Sequence, residues 1–380
     1  MKTRAVIVFV TAAIVLSGCA AAPGQPATTP SGSSPSATPS PSADPLAALT
    51  VEQRVGQLFI VGTTASAPEE ATISAVRDRR AGGVFLAGRA KGGVAATAAV
   101  VGQFTAIADP ALPLFVATDQ EGGQVQVLQG PGFSAMPSAV EQGAWTPAAL
   151  QANATTWGAE LAAAGVTMNL APVVDLIPSA AAAAGNPPIG GFDRQFGYDV
   201  AGIVGHADAF RAGMTASGVV SVTKHFPGLG DVTANTDDTA GVTDTTTDAA
   251  SGSVDVYRSE IAAGVGSIMM SSAIYSRLDP SAPAVFSPAV VTGLLRDDLG
   301  FDGVIMTDDV SGATQVTAWA PADRAILAIE AGCDIVLVSR TPAVAAEMID
   351  AVVAKAKAEP AFAARVDAAA TRVLALKGVR

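Results

Sequence analysis

The chain has 380 residues, 49% apolar and 15% charged, with 22 basic against 34 acidic side chains and a net charge of −12. That length supplies one large domain or two small ones with ample material for a core, and the acidic balance excludes a nucleic-acid surface or attraction to anionic lipid. Two cysteines and two histidines exclude a disulfide scaffold and a His-rich zinc site.

Lys2 and Arg4 precede twelve apolar or small residues, Ala5 to Leu16. This pattern reads as a secretory leader, too short to span a bilayer stably. Leu16-Ser17-Gly18-Cys19 follows directly and resembles the lipobox of bacterial lipoproteins. The resemblance implies removal of residues 1–18 and acylation of Cys19; a plain secretory signal with a chance cysteine is the alternative. The expected address is the outer face of the bacterial cytoplasmic membrane, with the lipid as the only membrane contact. Within residues 19–45, Ala20 to Pro45 holds seven prolines, six serines, one charge (Asp44) and no large apolar side chain. Such a segment cannot bury enough surface to offset its ordering entropy, so it reads as a disordered tether. One folded domain, residues 46–380, remains. Its Cys333 sits in an apolar stretch and reads as inert core.

Past the tether, short apolar runs read as buried strands at Gln57–Val61, Gly83–Leu86, Leu114–Thr118, Thr167–Leu170, Val219–Thr223, Ser267–Met270, Gly303–Thr307 and Asp334–Val338. Helical patterns with proper ends lie between them. One starts at Thr146-Pro147, carries Leu150, Ala154, Trp157 and Leu161 on one face and stops at Gly165. Another starts at Ser287-Pro288, carries Val291, Leu294, Leu295 and Leu299, and stops at Gly300; a third runs from about Ala322 to Ala331 and ends at Gly332. Continuous rather than alternating apolar strands imply a sheet covered on both faces, hence parallel strands with helical crossovers. Eight such units predict an α/β fold, a (β/α)8 TIM-type barrel with elaborations beyond its usual ~250 residues. A doubly wound open sheet is the competing fold, but no Gly-x-Gly-x-x-Gly follows the first strand, and a P-loop is absent.

In such a barrel, chemistry collects at the carboxyl ends of the strands. Those positions read Asp119-Gln120-Glu121-Gly122-Gly123, then Asp175, then Lys224-His225-Phe226-Pro227-Gly228, then Asp308-Asp309. In a chain so poor in charge this concentration marks a polar ligand site, although Asp175 alone reads more readily as a loop cap or an ion pair closing the barrel top. Several carboxylates, one cation and no metal-ligand cluster describe a pocket for a neutral polyol. No metal or organic cofactor is implied. Hydrolysis of a glycosidic bond needs two carboxyl roles, a nucleophile and an acid/base. Asp308, at the tip of Gly303-Val304-Ile305-Met306-Thr307, suits a nucleophile aimed by a rigid strand.

Lys224-His225-Phe226-Pro227-Gly228, Asp119-Gln120-Glu121-Gly122-Gly123, Ala171-Pro172-Val173-Val174-Asp175 and the run from Gly300 to Asp309 resemble, in order, the motifs of glycoside hydrolase family 3. The branch is that of the single-domain bacterial β-N-acetylglucosaminidases acting on muropeptide or peptidoglycan sugars. The resemblance implies a barrel, a carbohydrate substrate, retention of configuration and Asp308 as nucleophile. It also implies sugar contacts from Asp119, Lys224 and His225, and from Arg194 in Phe192-Asp193-Arg194-Gln195-Phe196-Gly197, which otherwise reads as a solvated loop arginine.

The chain departs from that branch where proton transfer is expected. The histidine after Pro-Gly is Leu229, the arginine after the double glycine is Gln124, and the usual Asp-Ser-His is Asn235-Thr236-Asp237. In one reading Asp237 is a carboxyl general acid whose pKa, ordinarily ~3.9, is raised by burial or by Asp308 or Asp238; Asp238 is a possible substitute. In the other, Asn235 to Thr239 is turn chemistry and the protein is a non-catalytic sugar-binding lipoprotein. A Schiff-base lyase using Lys224 is a third, more distant reading.

Overall fold

The computed structural model describes residues 45–379; the leader, Cys19 and the tether as far as Asp44 lie outside them. Eight parallel strands form the centre: β1 (Phe59–Thr64), β2 (Gly83–Ala87), β3 (Phe115–Thr118), β4 (Met168–Asn169), β5 (Val220–Ser221 resuming as Thr223–Phe226), β6 (Ser267–Met270), β7 (Val304–Asp309) and β8 (Ile335–Val338). The last strand pairs with the first, Phe59 to Val336. β5 pairs with β4 through its first half and with β6 through its second. Between the halves the Val222 N–H reaches Asn169 O and Ala171 O, 3.0 and 3.1 Å away, so the ring closes.

The eight expected strands are these eight, with shifts of one to three residues at many of their ends; β7, for example, runs on through Asp309. β1 starts at Phe59 and runs to Thr64. β4 is only two residues long, because Pro172 has no N–H to donate; pairing resumes at Val173, which bridges Lys224. β5 continues through Phe226, which places Lys224 and His225 inside the strand rather than beyond it.

Strand alternation sorts the apolar residues into two cores. Ile60, Phe85, Phe115, Ala117, Met168, Leu170, Val222, Met269, Val304, Met306, Ile335 and Leu337 point inward and fill the barrel. Their neighbours, including Phe59, Val61, Val84, Val116, Ile268, Ile305 and Val336, face outward against the helices. Cys333 belongs to this outer layer, fully buried, with its thiol pushed above the usual range by burial. The helix Pro360–Leu376 seals the floor by inserting Val373, with Leu376 beside it. Lys377 then donates to Gln57 Oε1 and Gly82 O, both at 2.7 Å, over the Phe115 ring.

The helical ends follow their local chemistry. Thr146 Oγ1 accepts from the Ala149 N–H at the start of Pro147–Ala163, which buries Leu150, Ala154, Trp157 and Leu161. Gly165 and Gly332 take positive φ after their helices. The helix after Ser287-Pro288, Ala289–Asp298, is wound wider than an α-helix, and its last turns bond Leu299 N to Leu294 O and Phe301 N to Leu295 O. No helix among the described residues is long and apolar enough to cross a membrane.

Helices Pro147–Ala163 and Val200–Ala216 approach closely through Gly213, where a Cβ would lie 2.5 Å from Ala154 Cβ and 2.7 Å from Gln151 O. Gly213→Val therefore lowers stability by about 1–3 kcal/mol through overpacking. Gly205→Ala, on the same helix with open space around it, raises stability by about 0.4–1 kcal/mol. Urea titration at constant m-value measures both.

Candidate active site

The inward period of two continues past the apolar layer, and this continuation builds the site. On β7, Val304 and Met306 point into the barrel, so Asp308 is the next inward position. On β3, Phe115 and Ala117 are followed by Asp119 in the same way, and on β5 Val222 is followed by Lys224. Phe85, Leu170, Met269 and Leu337 form the floor of a cavity of about 340 Å³. Asp119, Arg194, Lys224, His225, Asp237 and Asp308 all line it, so the structure brings together every site residue expected of the barrel domain. Cys19, the expected lipidation site, lies outside the described residues.

A charge chain runs along one wall. Lys224 Nζ lies 2.7 Å from both Asp119 Oδ1 and Glu121 Oε1. Arg194 donates Nε and Nη2 to the two Glu121 oxygens at 2.8 Å each, and Nη1 to Pro188 O at 2.9 Å. Arg194 is thus a largely buried, bidentate partner rather than a solvated loop arginine. Burial alone would raise the Glu121 carboxyl, but Arg194 and Lys224 hold it at about 2. In turn Lys224 is held above its usual value by Asp119 and Glu121 against its own desolvation. A lysine held in its charged form by two carboxylates is ill suited to act as the neutral amine of a Schiff-base lyase.

The backbone that carries this wall is over-determined. Asn169, at the tip of β4, exchanges two 3.0 Å hydrogen bonds with the Gln120 main chain. Gln142 donates to Glu121 O at 2.9 Å. Gly122 has φ 110°, and a Cβ there would meet Pro137 O at 2.1 Å, so only glycine fits this turn. Gln124 is exposed and contributes its carbonyl to Arg89. Asn186, fully buried, donates to Leu229 O, Gly230 O and Val232 O and accepts from the Ile189 and Gly190 N–H groups, joining the Arg194 loop to the loop after β5.

Asp175 is the loop organiser. Its Oδ2 accepts from His225 Nδ1 at 2.7 Å and its Oδ1 from the His225 and Leu229 N–H groups. This fixes the imidazole so that Nε2 is its remaining polar atom. The paired aspartates on β7 divide in the same sense. Asp309 points away and accepts from Ser311 N and Oγ, Gly312 N and Ser339 N, locking the β7 and β8 ends together. Asp308 accepts only the Asp309 N–H at 2.8 Å and otherwise faces the cavity.

Asp237 faces the same cavity from the loop after β5. Burial, then Asp308, raises its pKa; Arg340 opposes this, Asp309 and Asp238 add to it, and the result is about 6. Asn235 is turn chemistry, as its Oδ1 caps the Asp237 N–H at 3.0 Å. Arg340, which sequence reading missed, donates Nη1 to Asp237 O at 3.0 Å. Glu121 was visible in its motif but given no role, since nothing local shows that it joins two distant cations.

A closed parallel barrel that aims two carboxyl groups, one of them with a raised pKa, into a sugar-sized cavity has the make-up of a glycoside-cleaving enzyme. Residues 50–376 match the family model described as glycosyl hydrolase family 3 N terminal domain, and the chain belongs to this family as a glycosidase. It is similar to the β-N-acetylhexosaminidase of Beutenbergia cavernae DSM 12333, with 62% identity, a TM-score of 0.86, and coverage of 87% of this chain and 99% of that one. A family 3 glycosyl hydrolase from Mycobacterium smegmatis is 30% identical with a TM-score of 0.76 over 87% and 98% of the chains. The beta-hexosaminidase of Vibrio cholerae serotype O1 is 34% identical over 63% of this chain and 69% of its own.

Removing Glu121 strands one buried cation, Lys224, and one part-buried cation, Arg194. Glu121→Ala lowers stability by about 3–5 kcal/mol and raises KM, read by thermal unfolding and by steady-state kinetics on an aryl glycoside.

Proposed function

We propose that the protein is a retaining exo-β-N-acetylhexosaminidase that removes a terminal β-linked N-acetylglucosamine from cell-wall or muropeptide-type glycans. The observation that carries this reading is the pairing of Asp308 with Asp237, whose carboxyl stays partly protonated near pH 6, across one cavity. The cavity, about 340 Å³, sits at the small end of ligand pockets (about 300–1,000 Å³) and suits one sugar ring. Asp119, Lys224, His225 and Arg194 surround it with donors and acceptors for hydroxyls. The names of its relatives support an amino-sugar substrate.

The chemistry follows from those positions. Asp308 attacks the anomeric carbon while the glycosidic C–O bond breaks and Asp237 gives its proton to the leaving oxygen. A water then gives a proton to Asp237, bonds the same carbon and releases Asp308.

Asp308→Asn reduces turnover by several orders of magnitude, and a 2-fluoro glycoside labels Asp308 in the wild type; labelling of Asp309 or Asp119 refutes the assignment. Because the acid must be protonated, kcat/KM falls as pH rises through about 6. Asp237→Ala removes that limb, slows a natural disaccharide about 10²–10⁴-fold but hardly slows glycosylation by a dinitrophenyl glycoside, and azide restores turnover of the latter. An unchanged limb in Asp237→Ala overturns its role.

The address is part of the same proposal: a signal-processed Cys19 carrying the lipid and a tether presenting the barrel at the envelope. One acyl chain anchors marginally, so more than one is expected. Wild-type protein partitions into detergent, and Cys19→Ala does not; a fully aqueous wild type refutes the anchor.

A further inference from the structure

We propose that Arg340, at the end of β8, is the positioning residue of the acid/base: it fixes the Asp237 main chain at the cavity rim and supplies the counter-charge for the Asp237 carboxylate. This rests on the reading of Asp237 as the acid/base.

The geometry is two-part. Arg340 Nη1 donates to Asp237 O at 3.0 Å, a carbonyl that also accepts the Thr314 N–H at 3.0 Å. The same nitrogen lies 3.4 Å from Asp237 Oδ1, and Nη2 lies 3.5 Å from Asp238 Oδ1. The main-chain bond is short and fixes the loop. The carboxylate contacts are longer and half-exposed, so the charge is close without locking the side chain that must exchange protons. The loop is tied further to the segment after the nucleophile's strand by Gln315 N to Thr236 O at 3.0 Å, and by the Gln315 amide, which grips both main-chain groups of Val242.

The electrostatic need is specific to a carboxyl acid. Such a group gains negative charge when it gives up its proton, and here that charge develops beside Asp308, Asp309 and Asp238. Those three oppose ionisation and Arg340 favours it. Without the cation the carboxyl would still donate in the first half-reaction, but near pH 6 more of it would be re-protonated by solvent before the second, where only the ionised form can serve as base. Arg340 therefore matters most where deglycosylation limits turnover. Asn235, neutral and committed to the turn, cannot supply that charge.

The test compares Arg340→Met, Arg340→Lys and Gln315→Ala with wild type and Asp237→Ala. Arg340→Met is expected to move the basic limb of kcat/KM up by about one pH unit, since an opposite charge within contact distance is worth about that much. At pH 6 it should lower kcat on a dinitrophenyl glycoside several-fold, with azide restoring the rate. Arg340→Lys should keep the limb near wild type. Gln315→Ala, which loosens the loop without changing charge, should lower kcat with the limb unmoved. A limb unmoved in Arg340→Met, while Asp237→Ala abolishes it, overturns the role of Arg340 and leaves the acid/base assignment standing. A limb that shifts equally in Gln315→Ala makes the effect one of loop order and also overturns it. A limb that survives in Asp237→Ala removes the premise instead.

Discussion

A side chain on a strand of a closed barrel can point only to the interior or to the helices, and its neighbours must do the opposite. The rest of this molecule depends on that restriction. Val304 and Met306 commit Asp308 to the interior and Asp309 to the β7–β8 joint. The same parity commits Asp119 and Lys224. One residue of slip on any of these strands would exchange a pocket carboxylate for a structural one. The apolar layer beneath, Phe85, Leu170, Met269 and Leu337, prevents such slip because each register error would turn these side chains out of the core.

The site places opposite charges so that each does one job. Arg194 and Lys224 both pair with Glu121, which keeps that carboxylate ionised and makes the wall rigid. Asp119 shares Lys224 but remains part-exposed, with oxygen free for a hydroxyl. Across the cavity the carboxylates of the loop after β5 and of β7 crowd one another, and Arg340 opposes that repulsion at Asp237. A chain of net charge −12 thus concentrates cations on the binding wall and repulsion on the reacting one.

What was legible in the sequence was local. Continuous apolar runs gave eight strands because a covered parallel sheet imposes that pattern, and Thr146-Pro147 and Gly165 marked helix ends through capping chemistry at single positions. Asp119, Lys224, His225 and Asp308 stood out because strand tips carry charge for few other reasons. Glu121 and Arg340 did not, since their meaning lies in partners 73 and 103 residues away. Asp175 read as a cap or an ion pair, and its three hydrogen bonds to His225 and Leu229 combine both. The wide helix after Pro288 was legible as helical but not as wide, because the apolar stripe is satisfied by either winding.

The helix that closes the barrel floor is the last described element, whereas the interior it seals begins with β1. Until that helix is in place the strands can align but Val373 cannot dock, and the apolar interior stays open to water from below. Completion of the barrel in this sense waits on a helix that follows all eight strands in the chain. Until then the greasy underside of the ring is the surface a holding chaperone would recognise.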